Sequence, residues 1–224
     1  MIKFASQAVQ GRMKCCFGLV LVSLLATGIL SAQEQEPTFY DRLAKAALER
    51  TKSFVRYDPA YVVLKYPGGD VPPETGVCTD VVIRSYRALG IDLQALVHED
   101  MRRNFSRYPK NWGLSRPDKN IDHRRVPNLQ RYFKRQGAAL PVSDDEADYK
   151  AGDLVAWDLN GRGLTHIGIV VPAPEGESGV WIVHNIGAGP KLEQRLFDWK
   201  VLGHYRFGEG VKQNFQPESS PKVN

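Results

Sequence analysis

Residues 152–171 read GDLVAWDLNGRGLTHIGIVV, which is two apolar runs separated by a glycine-rich turn. The pattern predicts β-strands over residues 153–157 and 166–171, because short apolar runs bounded by turn residues are typical of strands. A polar loop follows, then a third apolar run at 180–185 and a last one at 201–207. Consecutive short strands joined by turns predict an antiparallel β-meander in the C-terminal half of the chain.

Helical patterns precede these strands. Thr38 is placed to cap a helix over residues 39–51, and Asp92 to begin another. Between them, residues 78–90 carry apolar side chains on one face, with Cys78 in the first turn and a glycine at the end. Helices first and strands second predict an α+β domain, with the helices packed on the sheet.

The first 32 residues are predicted to be a secretory signal peptide. Lys3, Arg12 and Lys14 precede an apolar run that ends in small residues at Ser31 and Ala32. We therefore expect a secreted or periplasmic protein without stable membrane contact after cleavage. An uncleaved membrane anchor is the alternative, because the run approaches the length of a short spanning helix.

The remainder of the chain is predicted to form one domain and to be monomeric. Its parts are a linker and N-terminal helix over 33–56, the domain itself over 57–207 and a flexible tail over 208–224. Loss of the signal peptide's three basic residues reduces the formal net charge from +5 to +2. So small a charge disfavours nucleic-acid binding, which requires a concentrated basic face. The basic pair Arg124 and Arg125 is expected on a solvated surface.

The count of cysteines singles out one thiol. Cys15 and Cys16 lie within the predicted signal peptide, so the exported chain retains only Cys78. One cysteine cannot form an internal disulfide, which leaves a buried apolar role, an intermolecular partner or a nucleophile. A position in the first turn of a helix favours the nucleophile, because unpaired N–H groups and the helix dipole stabilise a thiolate.

Two histidines complete a candidate site. His166 begins the second predicted strand and His184 lies near the end of the third, so antiparallel pairing brings them to one edge of the sheet. A cysteine, a histidine base and a polar residue that orients the base form a nucleophile triad. His184 is the candidate for the orienting role, with Asn185 the alternative. A zinc site of Cys78 and the two histidines is disfavoured, because the clustered Cys and H-E-x-x-H spacings are absent from the sequence.

These segments resemble the NlpC-type cell-wall cysteine peptidases, a branch of the papain-like superfamily. Residues 66–69 and 76–80 resemble the family's Tyr-x-x-Gly-Gly segment and its nucleophile motif. Residues 152–157 resemble its Gly-Asp-Leu-Val strand, 165–170 its His-Val-Gly-Ile-Tyr strand, and 182–184 the strand that ends in a polar triad residue. The resemblance implies a papain-like NlpC-type fold over most of the predicted domain.

The resemblance also implies a role for each matched residue. Cys78 is the implied nucleophile, His166 the base and His184 the orienting residue. Tyr66, Thr79 and Asp80 are implied to line the oxyanion or the substrate. The chain departs from the family motif at two positions, because Val77 precedes the cysteine in place of aspartate and Asp80 stands in place of glycine.

We therefore predict an exported cysteine hydrolase that cleaves amide bonds in peptidoglycan stem peptides through a thioester, without a cofactor or metal. The loop over 104–122, with Tyr108, Trp112, Arg116 and Lys119, is a candidate rim for an acidic peptide. Two alternatives remain open at this point. One is a thiol acyltransferase or lipid hydrolase on the same fold, and the other is a non-catalytic domain that binds cell-wall fragments.

Overall fold

A computed structural model describes Met1 and residues 36–212 of the protein. The predicted signal peptide, apart from Met1, and the end of the predicted tail lie outside the described residues. In chain order, the helices and strands are α1 (Phe39–Arg50), β1 (Arg56–Tyr57), β2 (Thr75–Gly76), α2 (Cys78–Ala88), α3 (Leu93–Asn104), α4 (Val126–Arg135), β3 (Ala139–Leu140), β4 (Leu154–Asp158), β5 (Thr165–Val171), β6 (Trp181–Asn185), β7 (Pro190–Glu193) and β8 (Lys200–Tyr205). Three single-turn 3₁₀ helices lie at Phe105–Arg107, Asp122–Arg124 and Glu146–Asp148. Within residues 36–212, none of the helices has both the length and the hydropathy needed to cross a bilayer.

Six strands form one antiparallel sheet in the order β3-β8-β4-β5-β6-β7. Strands β4 to β7 follow one another as a meander, and β8 returns to pair with β4 on the side away from β5. The predicted α+β arrangement of helices and antiparallel sheet is confirmed. Strands β3 and β7 and the separate parallel pair β1–β2 were not predicted, because runs of two to four residues carry too little periodicity to be recognised.

The sheet buries both of its faces. The helices cover one face, where Leu154, Ile167 and Val183 join the core residues of α1, α2 and α4. On the other face, Val155 and Trp157 form a second cluster with buried residues of neighbouring strands and loops. Helix α1, which the sequence analysis grouped with the linker, contributes to the main core, so it belongs to the same folded unit.

The start of α2 is held by a buried ion pair. Both carboxylate oxygens of Asp80 accept from the guanidinium of Arg124 at 2.9 Å, and the two side chains are 4% and 2% exposed. Asp80 also accepts from the backbone N–H of Val77 at 2.7 Å. In return, the carbonyl of Arg124 accepts from the Thr79 hydroxyl at 3.0 Å. Arg124 thus joins the helix start to the 3₁₀ turn that precedes α4.

The expectation that Arg124 lies on a solvated surface is therefore wrong. Basic runs in sequence are usually solvated, but this arginine has a buried carboxylate partner 44 residues away, and no local pattern reveals it. Its guanidinium also donates to the carbonyls of Asp58 and Ala60. Arg125 is mostly covered as well, because it pairs with Asp122 at 3.0 Å and lies 4.0 Å from the centroid of the Trp112 ring.

We expect Arg124→Met to reduce the free energy of unfolding by about 3–5 kcal/mol, because it leaves the Asp80 carboxylate buried without its partner. The double variant Asp80→Leu with Arg124→Met should recover most of that loss, because an apolar pair needs no compensation. Urea unfolding monitored by circular dichroism measures both. The control is Arg102→Met, an exposed position on α3. A loss below about 1 kcal/mol in Arg124→Met would contradict the structural role.

Candidate thiol site

Cys78 is the first residue of α2. Val77 precedes it in an extended conformation and provides no side-chain cap, so the first turn of the helix keeps N–H groups that its own backbone cannot satisfy. The thiol is 5% exposed and packs into the core cluster beneath the sheet. It is a free cysteine.

The thiol also faces the unpaired half of β5. Strand β6 pairs with β5 only at Ile169–Val171, so the preceding part of β5 has a strand neighbour on one side only, β4. The backbone N–H of Ile167 lies close enough to Cys78 Sγ to favour the thiolate. The start of α2 thus lies beside the first half of β5.

Burial determines the protonation state of the thiol. Loss of hydration raises the pKa of Cys78 to about 12, although the N–H groups of Ile167 and Thr79 favour the thiolate. The charge of Asp80 acts in the same direction as burial. Desolvation therefore exceeds the effect of the helix start, and the resting thiol is protonated at neutral pH.

His166 and His184 meet, as the antiparallel register predicts. His166 Nε2 lies 2.7 Å from His184 Nδ1, and the two residues are 2% and 1% exposed. Burial lowers the pKa of His166 to about 3, with a further decrease from His184. Burial also lowers the pKa of His184, against the opposing effect of Glu193. Both imidazoles are therefore neutral at pH 7.

Two tryptophan rings pack against the histidine pair. The ring centroid of Trp157 lies 5.8 Å from that of His166, and Trp199 lies 6.2 Å from His166 and 6.1 Å from His184. These contacts place the imidazoles on the face of the sheet opposite α2. Apolar rings on this face keep water from the hydrogen bond between the histidines, and such exclusion strengthens it.

Cys78 and His166 lie on opposite faces of the sheet near the start of β5. The neighbours of His166 both lie beside the thiol, since Thr165 lines a cleft with Cys78 and Ile167 directs its N–H to it. Across residues 36–212, no hydrogen bond joins Cys78 Sγ to either imidazole. Catalytic hydrogen bonds commonly tighten only when substrate is bound. The structure thus assembles the histidine pair and brings the thiol to the adjacent backbone.

Asn185 does not contact His166. Its side chain donates to the carbonyl of Gly76 at 3.4 Å and accepts from the N–H of Gly187 at 3.1 Å. Alternation along β6 turns it toward the α2 face, while His184 points away from that face. Of the two residues that could orient His166, His184 is the one in contact.

A cleft of about 450 Å³ opens beside the thiol. Its walls are mainly aromatic and apolar, and its two arginines, Arg124 and Arg125, are both paired with carboxylates. The lining residues are Tyr57, Pro59, Tyr61, Val77, Cys78, Trp112, Ile121, Arg124, Arg125, Val126, Pro127 and Thr165.

Tyr66, Thr79 and Asp80 are not among the residues that line this cleft. The Tyr66 ring packs against His98 at 5.1 Å and lies under the Lys119 ammonium, on the α3 side of the molecule. Thr79 is fully buried and Asp80 is 3% exposed, each with the structural partners described above. The expectation that these three residues line the substrate is therefore corrected. Tyr57 and Tyr61 occupy the cleft instead.

The predicted rim of the site is also corrected in part. Tyr108 is 3% exposed and donates to Asp100 at 2.7 Å, so it belongs to the core. Trp112 does line the cleft, whereas Arg116 and Lys119 do not. Within the part of the chain that the structure describes, no group of three or more His, Cys, Asp or Glu side chains is arranged to hold a metal ion.

Glu193 is a further neighbour of the histidine pair that was not predicted from the sequence. Its Oε2 lies 3.0 Å from His184 Nε2, which extends the histidine pair by one carboxylate. The residue lies on β7, and the register His184↔Lys191 and Ile182↔Glu193 brings it alongside His184. A prediction of β7 would have revealed this neighbour, but the four residues of that strand contain one apolar side chain besides proline.

The fold and site define an α+β domain with one thiol at a helix start and a bonded histidine pair on adjacent strands. The chain belongs to the family described as a domain of unknown function, DUF1287, whose match covers residues 44–207. It is 53% identical to an uncharacterized protein, YijF, of Escherichia coli (strain K12), over 165 residues that make up 74% of this chain and 80% of that protein.

Among solved structures, the chain is similar to NlpC1 from Trichomonas vaginalis, with 16% sequence identity and a TM-score of 0.41. The match covers 78% of this chain and 46% of the other, so the chain spans less than half of that protein. Similarity at this level does not establish a shared fold.

The buried thiol leads to a prediction about alkylation. We expect the rate at which iodoacetamide modifies folded Cys78 to rise about tenfold per pH unit from neutral to alkaline pH without a plateau, because the thiolate is the reactive form and burial raises the thiol's pKa to about 12. In 6 M urea we expect the pKa of the same thiol to be about 8.5, the value of an exposed cysteine. Mass spectrometry of the intact protein measures both rates. A plateau below pH 7 in the folded protein would instead show a preformed thiolate.

The histidine pair leads to a prediction about acid stability. The pKa of His166 is lower in the folded protein than the 6.5 of an exposed histidine, so the unfolded state binds the proton more tightly. Stability is therefore retained above about pH 6.5 and lost as pH falls below it, by up to about 1.4 kcal/mol per pH unit for this group. We expect His166→Gln to reduce the slope of unfolding free energy against pH by about one proton between pH 6 and 4. Urea titrations at several pH values measure the slope, and equal slopes would contradict the prediction.

Proposed function

We propose that this protein is a cysteine hydrolase with a papain-like NlpC-type fold, in which Cys78 is the nucleophile, His166 the base and His184 the residue that orients the base. The observation that carries the proposal is the 2.7 Å contact between the two buried imidazoles, at the strand end that Cys78 faces. The sequence resemblance to the NlpC-type peptidases supports the same three residues in the same order along the chain.

The proposed reaction begins with a protonated thiol and a neutral imidazole. Sγ of Cys78 attacks the carbonyl carbon of an amide while its proton passes to Nδ1 of His166. The oxyanion forms against the backbone N–H of Cys78, at the unpaired start of α2. His166 then protonates the leaving nitrogen, the C–N bond breaks and a thioester remains. A water molecule, deprotonated by His166, hydrolyses the thioester and restores the thiol.

The burial of both groups favours this concerted transfer. A preformed thiolate–imidazolium pair would place two charges where desolvation raises the pKa of the thiol and lowers that of His166. Charge therefore develops only as the substrate carbonyl is attacked. This is the condition under which an oxyanion site contributes most to the rate, because its donors bind the transition state better than the ground state.

We propose peptidoglycan stem peptides as the substrate and the exported compartment as the site of action. The signal-peptide pattern of residues 1–32 and the sequence resemblance to cell-wall peptidases support both. The paired arginines of the cleft offer less attraction to an acidic peptide than an unpaired basic rim would.

The cleft walls also favour a second candidate, a thiol acyltransferase or lipid hydrolase. Tyr57, Tyr61 and Ile121 offer an aromatic and apolar surface beside the thiol, and such a surface suits an acyl chain. The two candidates share the nucleophile and differ in the group that enters the cleft and, for an acyltransferase, in the acceptor that takes the acyl group from the thiol. A chain-length series of acyl p-nitrophenyl esters separates them, because an acyl-specific cleft turns over long chains faster than acetate.

The decisive experiment uses the protein without residues 1–32 and purified peptidoglycan sacculi. We expect it to release muropeptides with shortened stems and new amino termini, and we expect Cys78→Ala and His166→Ala to abolish the release. Liquid chromatography with mass spectrometry identifies the products. The matched control is His98→Ala, a half-buried histidine on α3 that does not line the cleft. Identical digests from the wild type and Cys78→Ala would exclude the cell-wall substrate. Acylation of Cys78 by a p-nitrophenyl ester, with release of p-nitrophenol, would then point to the second candidate.

A further inference from the structure

Glu193 extends the histidine pair to a chain of three side chains. Its Oε2 lies 3.0 Å from His184 Nε2, and its Oε1 lies 3.6 Å from a guanidinium nitrogen of Arg195. The His184 side chain is 1% exposed, whereas that of Glu193 is 26% exposed. The carboxylate therefore lies at the solvent-exposed end of this series of hydrogen-bonded side chains.

Hydrogen-bond chemistry assigns a direction to this chain. A carboxylate only accepts, so Nε2 of His184 carries the proton that is shared with Glu193. A neutral imidazole has a single N–H, so Nδ1 of His184 carries a lone pair and accepts from Nε2–H of His166. The remaining nitrogen of His166, Nδ1, then also carries a lone pair. One carboxylate thus determines the tautomer of both rings.

We propose that Glu193 is a positioning residue of the thiol site, which holds the His166–His184 pair in the tautomer that leaves Nδ1 of His166 free to accept the thiol proton. The inference rests on the proposed function for the identity of the base, but the tautomers themselves do not depend on any substrate. It adds a fourth member to the Cys78–His166–His184 set, and this member comes from a strand outside the predicted meander.

Protonation of His184 reverses the direction of the chain. An imidazolium donates from both nitrogens, so His166 would have to accept at Nε2 and carry its proton on Nδ1, where the thiol proton should go. The charged groups that face His184 are Glu193 and Lys191 on β7, together with Arg195 and Asp198 on the following loop. His166 on β5 faces it from the other side. Burial keeps the pKa of His184 low, and Glu193 partly opposes this.

Nuclear magnetic resonance tests the tautomers directly. In protein labelled with ¹⁵N-histidine, we expect long-range ¹H–¹⁵N spectra at pH 7 to show both His166 and His184 as Nε2–H tautomers. In Glu193→Ala, His184 should lose this preference, because nothing remains to accept its Nε2–H. In Glu193→Gln, the amide oxygen accepts the same hydrogen bond and the wild-type pattern should persist. An Nδ1–H tautomer of His184 in the wild type would overturn the proposal.

Kinetics test the consequence for catalysis. On purified sacculi, we expect Glu193→Ala to lower the rate at saturating substrate at least about tenfold, and by less than the roughly 10⁴-fold that the wrong tautomer costs in a serine triad. Substrate affinity should be unchanged, since Glu193 does not line the cleft. The acid limb of the pH profile should move to lower pH, because Glu193 raises the pKa of His184. Glu193→Gln should retain most of the activity, as should the control Glu177→Ala in an exposed loop.

The two sets of measurements separate this inference from the proposed function. If the wild type hydrolyses sacculi and Glu193→Ala does so equally well with an unchanged pH profile, the positioning role is wrong and the proposed function stands. If the wild type does not hydrolyse sacculi, the cell-wall substrate is excluded, and the tautomers in the wild type and Glu193→Ala still decide whether Glu193 directs the pair.

Discussion

The buried pair of Asp80 and Arg124 is the constraint on which the site depends. The Arg124 guanidinium donates to the Asp80 carboxylate on α2 and to the carbonyls of Asp58 and Ala60 that follow β1. The backbone carbonyl of Arg124 accepts from the Thr79 hydroxyl. The Asp80 carboxylate in turn holds the N–H of Val77, directly before the thiol. The position of Cys78 is therefore fixed by charges that do not touch it. A reactive thiol needs such support, because a site keeps its geometry to within about an ångström only when the surrounding residues are held rigidly.

Solvent exclusion determines the chemistry that this arrangement can perform. The thiol and both imidazoles are nearly inaccessible, and burial shifts each of them toward its neutral form. In water, the start of a helix and a nearby histidine would promote a thiolate. Here burial outweighs both effects, and the thiol is protonated at neutral pH. Trp157 and Trp199 contribute to this solvent exclusion, because their rings pack against the histidines and keep water from the hydrogen bond between them.

Local patterns in the sequence predicted the parts of the site that depend on local structure. The helix that begins at Cys78, the strands that carry His166 and His184, and the contact between those two rings all followed from periodicity and antiparallel pairing. Tyr66 was misplaced because its motif says nothing about where a loop carries the ring, and here the ring packs on α3. Arg124 and Glu193 were missed because each acts through a partner on another element. Whether a charged side chain is buried depends on tertiary contacts, which a local sequence pattern does not reveal. The unpredicted strands have only two to four residues and therefore show no periodic pattern.

The order of the strands has a consequence for how the protein forms. Strand β8 is the last in the sequence, yet it lies inside the sheet, between β3 and β4. The sheet therefore cannot be completed from a nascent chain that ends before residue 200, and β4 keeps one open edge until the final segment arrives. Contacts between distant parts of a chain form slowly, because the entropy of closing the loop precedes any gain from pairing. The exposed edge of β4 is thus the point at which an unfinished chain is most open to pairing with another molecule, and the last strand acts as its protection.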